Sequence, residues 1–492
     1  MSVHGTYGGI YAHASGGCLH IRPVLDLQRG EAVRAMRGIV EQVFALTMSL
    51  GGAMSSEHGD GLARGEFIER TYGREVTEAM RLLKQAADPD NLLNPKKLFD
   101  APPMDTNLRY GEAYQSSAWV SVLNFEHERG LEGAIESCNG QGVCRKTTGV
   151  MCPSFQATRD EAFSTRGRAN LLRAAISGQR SADSQEMMTA AYQTLDLCLA
   201  CKGCTSECPS GVDMPKLKYE FMNQYYKSHR RPLRDYMFGY FHIAAKLLNP
   251  VAPLANWVMG MGWSRKLIAK ALGIAEQRPF PKFVRRELEN KHASRQADSS
   301  KAVLFLSDVF SHYIEPEVED AAIEILQSFG YSVHILPIIG AGASLLSKGF
   351  LDAARAQAEK VLAEIQRLDG GAGLSVVGCE PPEVYCLKHE YASLLPHRRE
   401  EIKSITDRVW LVDEFILRVA SSGDVTADLN LKEKERTRLT LHPHCHHRAE
   451  GPAADGLPSG VAATVAMLKL FGYDADAVSY THLDVYKRQI LA

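Results

Sequence analysis

Four closely spaced cysteines in the middle of this 492-residue chain form a set that can bind a metal cluster. They are Cys198, Cys201, Cys204 and Cys208, followed by Pro209, in the pattern C-x2-C-x2-C-x3-C-P. Three thiolates at this spacing surround one iron–sulfur cube, and the fourth, before the proline, usually serves a second cluster. Zinc sites more often pair two C-x2-C halves across a longer gap. The run therefore predicts a [4Fe–4S] cluster rather than zinc or a disulfide knot.

A less regular group of cysteines precedes this run. Cys138, Cys144 and Cys152 follow the pattern C-x5-C-x7-C-P, with glycines that let the backbone approach a cluster. Cys152 can cross over to complete the cluster of the first three cysteines of the run. Cys138 and Cys144, with the fourth cysteine of the run, then leave a second site one thiol short. That site is predicted to hold a [3Fe–4S] cluster, a cubane with a non-cysteine ligand, or no cluster.

The first hundred residues contain a second set of side chains that suggest chemistry. His13 and His20 come early, Arg22 follows, and Glu57 and His58 lie in a polar, glycine-rich loop. Two imidazoles and a carboxylate are a reasonable ligand set for Zn²⁺ or Mn²⁺, with positions left for a bidentate hydroxy acid. His58 can act as a base, and Arg22 can clamp a carboxylate. Taken alone, the two histidines would more often have ordinary structural roles than bind a metal.

Composition sets limits on the class of protein. The chain is 45% hydrophobic and 23% charged, as is ordinary for a globular protein, and long enough for about three domains. A net charge of −2 gives no electrostatic case for nucleic acid. The sequence shows neither a secretory signal nor an apolar run long enough to span a membrane. The cysteines cluster as ligands do, which favours a reducing, cytoplasmic location, with the inner face of the cell membrane as the alternative.

Several elements must position these residues. The pattern of the first hundred residues predicts an α+β arrangement. It has loose strands over 9–24, one helix over about 31–50 and a second helix that ends at residue 88. From residue 301, strands alternate with helices, as in parallel α/β units. Residues 321–331 and 463–473 share an apolar helix that ends in Phe-Gly-Tyr, which predicts two pseudo-repeats. The fold class is therefore multidomain, with α+β and α/β parts around a helical two-cluster ferredoxin-type domain.

The stretch from residue 231 to 285 is apolar and interrupted by Pro250 and Pro253. It predicts a kinked helical hairpin packed on the cluster domain. The alternative is a helix on a membrane surface, which would give peripheral membrane contact.

Two resemblances extend this interpretation. Residues 11–23, 57–61 and 94–96 resemble the C-terminal cap of FAD-linked oxidases, the family of D-lactate, glycolate and D-2-hydroxyglutarate dehydrogenases. The resemblance implies that His13, His20 and Glu57 bind a divalent metal beside the flavin and that His58 contacts the hydroxy acid as a base. It also implies that Asn94 takes part in binding the cofactor.

The cysteine motifs resemble the iron–sulfur segment fused to such oxidases. They also resemble iron–sulfur subunits of glycolate oxidase and anaerobic glycerol-3-phosphate dehydrogenase. The layout from residue 299 resembles the cysteine-rich domain of heterodisulfide reductase-like proteins, but the Cys-Cys-Gly motif is missing. No non-cubane cluster is therefore predicted there, and structural roles are favoured for Cys379, Cys386 and Cys445.

The predicted organisation follows from these patterns. It comprises an oxidase cap over 1–102, a linker over 103–124, the cluster domain over 125–228, a helical connector over 229–298, the α/β domain over 299–478 and a non-native tail over 479–492. Both ends are expected to be truncated, with the main FAD-binding domain missing before residue 1.

The predicted function is the C-terminal part of an FAD-dependent iron–sulfur oxidoreductase. It would oxidise a small D-2-hydroxy acid and pass electrons through [4Fe–4S] to a quinone, cytochrome or carrier protein. The alternative is a non-catalytic iron–sulfur electron-transfer subunit of the glycolate oxidase or glycerol-3-phosphate dehydrogenase type. A zinc-binding scaffold is a third, simpler alternative.

Overall fold

A computed structural model describes residues 1–111, 114–116, 119–177, 184–286, 301–423 and 438–477. The chain divides into two compact units, Met1–Ser117 and Ala118–Ala492.

The first unit combines an antiparallel hairpin with helices. Strands β1 (Gly8–His13) and β2 (Cys18–Pro23) pair in register, so that Tyr11 lies opposite His20 and His13 opposite Cys18. The helices are α1 (Gly30–Ser49), α2 (Gly61–Arg64), α3 (Ile68–Tyr72) and α4 (Arg74–Ala87). The predicted strands and both predicted helices are confirmed. Among the described residues from Asp88 to Phe125 there is neither helix nor strand.

The second unit begins with a helical domain that holds the cysteine motifs. Its helices are α5 (Leu131–Glu136), α6 (Pro153–Thr158), α7 (Thr165–Ser177), α8 (Ser184–Asp196), α9 (Gly203–Glu207) and α10 (Met214–Ser228). A connector of four consecutive helices follows. These are α11 (Leu233–Gly239), α12 (Phe241–Leu248), α13 (Ala252–Gly260) and α14 (Gly262–Leu272). Helices are found in this stretch up to Leu272, with a break near the prolines, where a backbone donor is missing.

The rest of the unit is α/β. Strands β3 (Ala302–Leu306), β4 (Ser332–Ile335), β5 (Ser375–Gly378) and β6 (Val409–Leu411) form a fully parallel sheet in the order β4-β3-β5-β6. The helices between and after them are α15 (Val309–Tyr313), α16 (Pro316–Ser328), α17 (Ala343–Ser347), α18 (Leu351–Asp369), α19 (Pro381–Tyr385), α20 (Tyr391–Leu394), α21 (Arg399–Thr406) and α22 (Val412–Ser421). A π-helical turn over Cys386–Glu390 joins α19 to α20. The predicted parallel α/β arrangement is confirmed.

A second, smaller sheet carries the predicted repeat. Strands β7 (Arg438–Leu441) and β8 (Asp474–Ala477) are parallel, with α23 (Cys445–Ala449) and α24 (Gly460–Leu470) between them. The same order of strand, short helix, long helix and parallel strand runs from β3 to β4. In both cases a side chain caps the short helix, Asp308 in the first and His444 in the second. The two segments are therefore equivalent in topology, and Cys445 corresponds to Val309.

One apolar core joins the cluster domain to the α/β domain. Phe221 and Met222 from α10 belong to the same buried cluster as Leu346 and Leu351. A buried ionic group crosses the same boundary, because Lys202 pairs with Asp213, at 3.0 Å, and with Glu390. Lys202 is only 1% exposed. A buried lysine needs such partners, since an unpaired charge there would be very costly.

Candidate active site and cluster sites

The hairpin of the first unit gathers side chains onto one face. Residues two apart on a strand share a face, and cross-strand pairs lie side by side. The register therefore puts Tyr11 and His13 on the same face as Cys18, His20 and Arg22. The Tyr11 ring stacks on the His20 ring at 4.5 Å, and the Arg22 guanidinium lies 5.1 Å from the Tyr11 ring centre.

The loop after α1 brings Glu57 to this face. Its Oε1 lies 2.9 Å from His20 Nε2, 3.5 Å from His13 Nε2 and 3.2 Å from His58 Nε2. The ligand atoms of His13, His20 and Glu57 all lie within 4.8 Å of one another. A divalent cation such as Zn²⁺ or Mn²⁺ accepts imidazole and carboxylate donors at this separation, so the residues fit the implied metal. The structure thus brings together the three side chains chosen from the sequence.

A cavity of about 280 Å³ opens beside this group. Its lining includes His20, Arg22, Glu57 and His58, together with Arg64 from α2. Arg64 donates to the Gly59 carbonyl at 2.9 Å, which fixes the loop that carries Glu57. The wall of the cavity therefore carries two of the three metal-ligand candidates, a histidine base candidate and two guanidinium groups.

Two residues of this unit show what sequence patterns could not resolve. Asn94 is exposed, has a left-handed backbone (φ 50°) and is not among the described residues that line the cavity. Its role in binding the cofactor stays a prediction. Arg64 was missed as a site residue, although it lies in the same polar loop-to-helix stretch as His58. Its position on the wall of the cavity depends on how the loop folds back.

The cysteine run of the second unit has an unusual backbone. Ala200 (φ 53°) and Lys202 (φ 58°) both adopt the left-handed conformation, which non-glycine residues rarely occupy. Such strain persists where the surrounding structure requires it, often at functional sites. Here it turns the chain sharply between Cys198 and Cys204. The seven cysteines from 138 to 208, all of them described, carry reduced thiols that form no disulfide.

Three of these cysteines surround one small pocket. Cys138, Cys144 and Cys208 line it together with Thr165 and Arg166. The backbone N–H of Arg166 donates to Cys144 Sγ at 3.3 Å, as amides commonly do to cluster sulfurs. This is the grouping that the spacing predicts for the site that is one thiol short.

Glu207, the last residue of α9, connects the first cysteine group to the cysteine run through hydrogen bonds and an ion pair. Its carboxylate accepts N–H groups of Val150 at 2.7 Å and Met151 at 2.9 Å, and it pairs with Lys146 at 2.6 Å. The loop just before Cys152 is therefore held against the end of the cysteine run. Cys152 itself caps the start of α6 with a left-handed backbone (φ 58°).

The thiols fit an iron–sulfur site by their chemistry. Burial raises the pKa of Cys144, Cys201 and Cys204 above the ordinary thiol value. Alone, these groups would stay protonated, whereas the positive charge of bound iron would favour the thiolates. Several buried, unoxidised thiols converging in this way are a donor set for a soft metal cluster.

Comparison with known proteins agrees with this geometry. Residues 1–98 match the family described as FAD linked oxidases, C-terminal domain, and residues 134–212 match the 4Fe-4S dicluster domain. The chain carries both domains. The oxidase domain contains the metal-ligand set and the cavity, and the dicluster domain contains all seven motif cysteines. The oxidase domain indicates FAD, and the dicluster domain indicates iron–sulfur clusters.

Individual relatives cover most of the chain. D-2-hydroxyglutarate dehydrogenase of Escherichia coli K12 is 27% identical over 84% of this chain and 45% of the relative. The Haemophilus influenzae protein of the same name is 25% identical over 90% of this chain and 47% of the relative. One subunit of the anaerobic glycerol-3-phosphate dehydrogenase of Escherichia coli K12 is 26% identical over 46% of this chain and 56% of that subunit. The chain thus spans about half the length of the D-2-hydroxyglutarate dehydrogenases it matches.

No solved structure matches the chain. Across the described residues, no helix combines the length and the apolar character needed to cross a membrane.

Proposed function

We propose that this chain is the C-terminal part of an FAD-dependent iron–sulfur oxidoreductase that converts a D-2-hydroxy acid to the 2-oxo acid. The observation that carries the proposal is the His13–His20–Glu57 group beside a cavity lined by His58 and arginines. The same chain continues into a dicluster domain. An oxidation site and an electron-transfer module are thus joined in one polypeptide.

The cavity favours a substrate with two carboxylates. A 2-hydroxy acid can bind a divalent cation through its hydroxyl and one carboxylate oxygen. Arg22 and Arg64 both line the cavity, and each guanidinium can form a bidentate pair with a carboxylate. Lactate and glycolate have one carboxylate, whereas 2-hydroxyglutarate has two. With the names of the relatives, this favours D-2-hydroxyglutarate.

Each residue of the proposed site has a separate chemical role. His13, His20 and Glu57 would hold a divalent cation that binds the hydroxy acid, and Arg22 would orient the substrate by pairing with its carboxylate. His58 would take the hydroxyl proton, and the hydrogen on C2 would leave with the two electrons as a hydride to bound FAD, which leaves the 2-oxo acid. When bound, FAD supplies the two-electron acceptor and the clusters supply one-electron acceptors. Five of the seven motif cysteines are buried, so the protein around them would shield bound clusters from water.

The exit of electrons lies in the second unit. A quinone, cytochrome or carrier protein would receive them, and we propose that the chain works at the inner face of a membrane. The helices α12, α13 and α14 each expose two apolar side chains three or four residues apart. These are Ile243 and Leu247, Leu254 and Trp257, and Trp263 and Leu267, which are 46% to 72% exposed. The sequence from 236 to 275 contains four Lys or Arg and no Asp or Glu. This combination suits a surface of anionic lipid.

The alternative function is an electron-transfer subunit without a substrate site. The likeness to the glycerol-3-phosphate dehydrogenase subunit covers 46% of this chain. Such a subunit has no need of two histidines and a glutamate positioned around an arginine-lined cavity. The geometry of the first unit therefore favours the dehydrogenase.

The test is metal and ligand binding by calorimetry. The chain should bind about one Mn²⁺ or Zn²⁺ in the first unit, and His20→Ala should abolish that binding. With metal present, D-2-hydroxyglutarate should bind at least about tenfold more tightly than its L enantiomer. Arg64→Ala should weaken the binding of D-2-hydroxyglutarate much more than the binding of D-lactate.

The matched control is Arg74→Ala, which removes an exposed arginine at the start of α4 that does not line the cavity. It should leave both affinities unchanged. Equal binding of the two enantiomers, or metal binding that survives His20→Ala, would refute the proposed site. If Arg64→Ala weakens the binding of D-lactate and of D-2-hydroxyglutarate by the same factor, the dicarboxylate assignment is refuted.

A further inference from the structure

Cys445 lies against the cluster domain although it is more than two hundred residues away in sequence. It is the first residue of α23, and α23 packs against α9, the helix that carries Cys204. The neighbouring His446 donates from Nε2 to the carbonyl of Ala200 at 2.9 Å. Ala200 is the residue immediately before Cys201. The α/β domain thus places a thiol beside the cysteine run.

Both contacts lie within the second unit. The packing of α23 on α9 and the hydrogen bond from His446 to Ala200 therefore put Cys445 next to the first three cysteines of the run.

Cys152 has other neighbours. Its Sγ lies 3.2 Å from the Phe163 carbonyl and 3.6 Å from Thr165 Oγ1, and Thr165 lines the pocket of the other cysteine group. Cys152 therefore lies next to the site that spacing alone leaves one thiol short.

We propose that Cys445 supplies the fourth thiolate of the [4Fe–4S] cluster bound by the first three cysteines of the run. Cys152 then joins the other group and completes a second cube. The chain offers eight thiolates, four for each cluster, and neither site needs a non-cysteine ligand. This departs from the expectation that Cys445 has a structural role and that Cys152 crosses over. The inference rests on the proposed iron–sulfur function.

The structure holds α23 firmly in the required place. Glu450, directly after α23, pairs with Lys388 at 2.7 Å and His389 at 3.0 Å. His447 lies 3.4 Å from Asp413 and 3.0 Å from Thr464 Oγ1. A ligand presented by a fixed helix keeps the geometry that a cube requires. The cluster would then bridge the cluster domain and the α/β domain.

The test compares Cys445→Ala with Cys379→Ala after anaerobic preparation of the full chain. Wild-type protein should contain about eight iron and eight sulfide per chain, with no signal of a [3Fe–4S] cluster in electron paramagnetic resonance. Cys445→Ala should lose up to half of its iron or gain a [3Fe–4S] signal. Cys379→Ala changes a thiol of the same domain and of similar exposure, and should match the wild type.

A different result would overturn the proposal. If Cys152 is the ligand instead, the wild type should already be short of iron or show a [3Fe–4S] signal, and Cys445→Ala should change neither. None of these readouts involves the hydroxy acid or its metal, so failure of the dehydrogenase proposal would leave them intact. Absence of iron from the wild type would refute the iron–sulfur function itself.

Alkylation of the wild-type protein covers the case in which Cys445→Ala fails to fold. Cys445 should resist iodoacetamide in the cluster-loaded protein and react after a chelator removes the iron, as read by peptide mass spectrometry. Cys379 should react equally in both states. Equal labelling of Cys445 in both states would refute its role as a ligand.

Discussion

At the scale of single residues, Glu57 has the central position in the first unit. One carboxylate oxygen lies within 3.5 Å of three imidazoles. A bound cation would share that oxygen with His13 and His20 and leave His58 to face the substrate. This division of roles matches the chemistry proposed for the site, in which two histidines bind metal and the third moves a proton.

Glu450 is the residue on which we predict a pH effect. Burial opposes its ionisation, but its interactions with His389 and Lys388 outweigh burial and lower the pKa to about 2 from 4.5. Because the folded pKa lies below the unfolded value, the stabilisation is present above pH 4.5 and is lost as the pH falls toward 2. It amounts to about 3 kcal/mol at most.

Glu450→Gln should therefore lower the free energy of unfolding at neutral pH and flatten its decline between pH 4.5 and 2. Urea unfolding of the cluster-free protein at a series of pH values measures both effects. An unchanged pH dependence in the variant would show that Glu450 does not have this role.

At the scale of elements, the cysteine run combines a strained turn with a short helix. The left-handed residues Ala200 and Lys202 alternate with the cysteines, and α9 begins directly after Lys202. Lys202 is held by Asp213, which also caps α10, and by Glu390. The run is therefore fixed from both the cluster domain and the α/β domain.

Replacing Cys201 by Ser should abolish most of the broad absorbance of the cluster at that site, near roughly 400 nm. The reason is that Cys201 is buried and central to the run, so its loss leaves an incomplete ligand set. Anaerobic absorption spectra with iron analysis measure the change, and Cys379→Ser is the control. An unchanged spectrum would contradict the assignment of the run.

A second element-scale prediction concerns Gly349, which lies two residues before α18. Its φ is +69°, and an added Cβ would lie 2.7 Å from Met222 Cβ and 2.9 Å from the Asn223 backbone nitrogen. Gly349→Ala should therefore cost about 3 kcal/mol of unfolding free energy, from backbone strain and overpacking against α10.

Gly370 provides the matched control, since its φ is +55° and nothing lies within 4 Å of an added Cβ. Gly370→Ala should cost only about 1 kcal/mol, from backbone strain alone. Urea unfolding curves of the two variants decide the point. Equal losses would mean that the contact between Gly349 and α10 contributes nothing.

At the scale of the whole molecule, the connector helices suggest where the protein binds. Trp257→Ser combined with Trp263→Ser should reduce binding to vesicles rich in phosphatidylglycerol by about tenfold or more, because two interfacial aromatics are lost. Vesicle flotation measures this, with neutral phosphatidylcholine vesicles and added salt as controls, both of which should weaken wild-type binding.

Two outcomes would contradict membrane binding. The first is flotation of the double variant that equals flotation of the wild type. The second is self-association of the wild type in size-exclusion chromatography that the variant does not show. The second outcome would assign the apolar faces to contact between protein chains.

The sequence by itself determined the chemistry that each part of the chain can perform. Cysteine spacing indicated the cluster run, and the histidines, Glu57 and Arg22 were chosen before any geometry was known. Alternating strands and helices indicated the parallel α/β domain, because periodicity follows directly from which face of an element is buried. These signals are local, so they can be read without knowing the fold.

Only the tertiary structure decided which distant residues meet. Arg64 reaches the cavity because its loop folds back, and Cys445 reaches the cysteine run because α23 packs on α9. No local sequence pattern indicates either contact, because loop closure and helix packing depend on the burial of apolar surface across the whole unit. The sequence therefore specified the donors, and packing specified how they are grouped into sites.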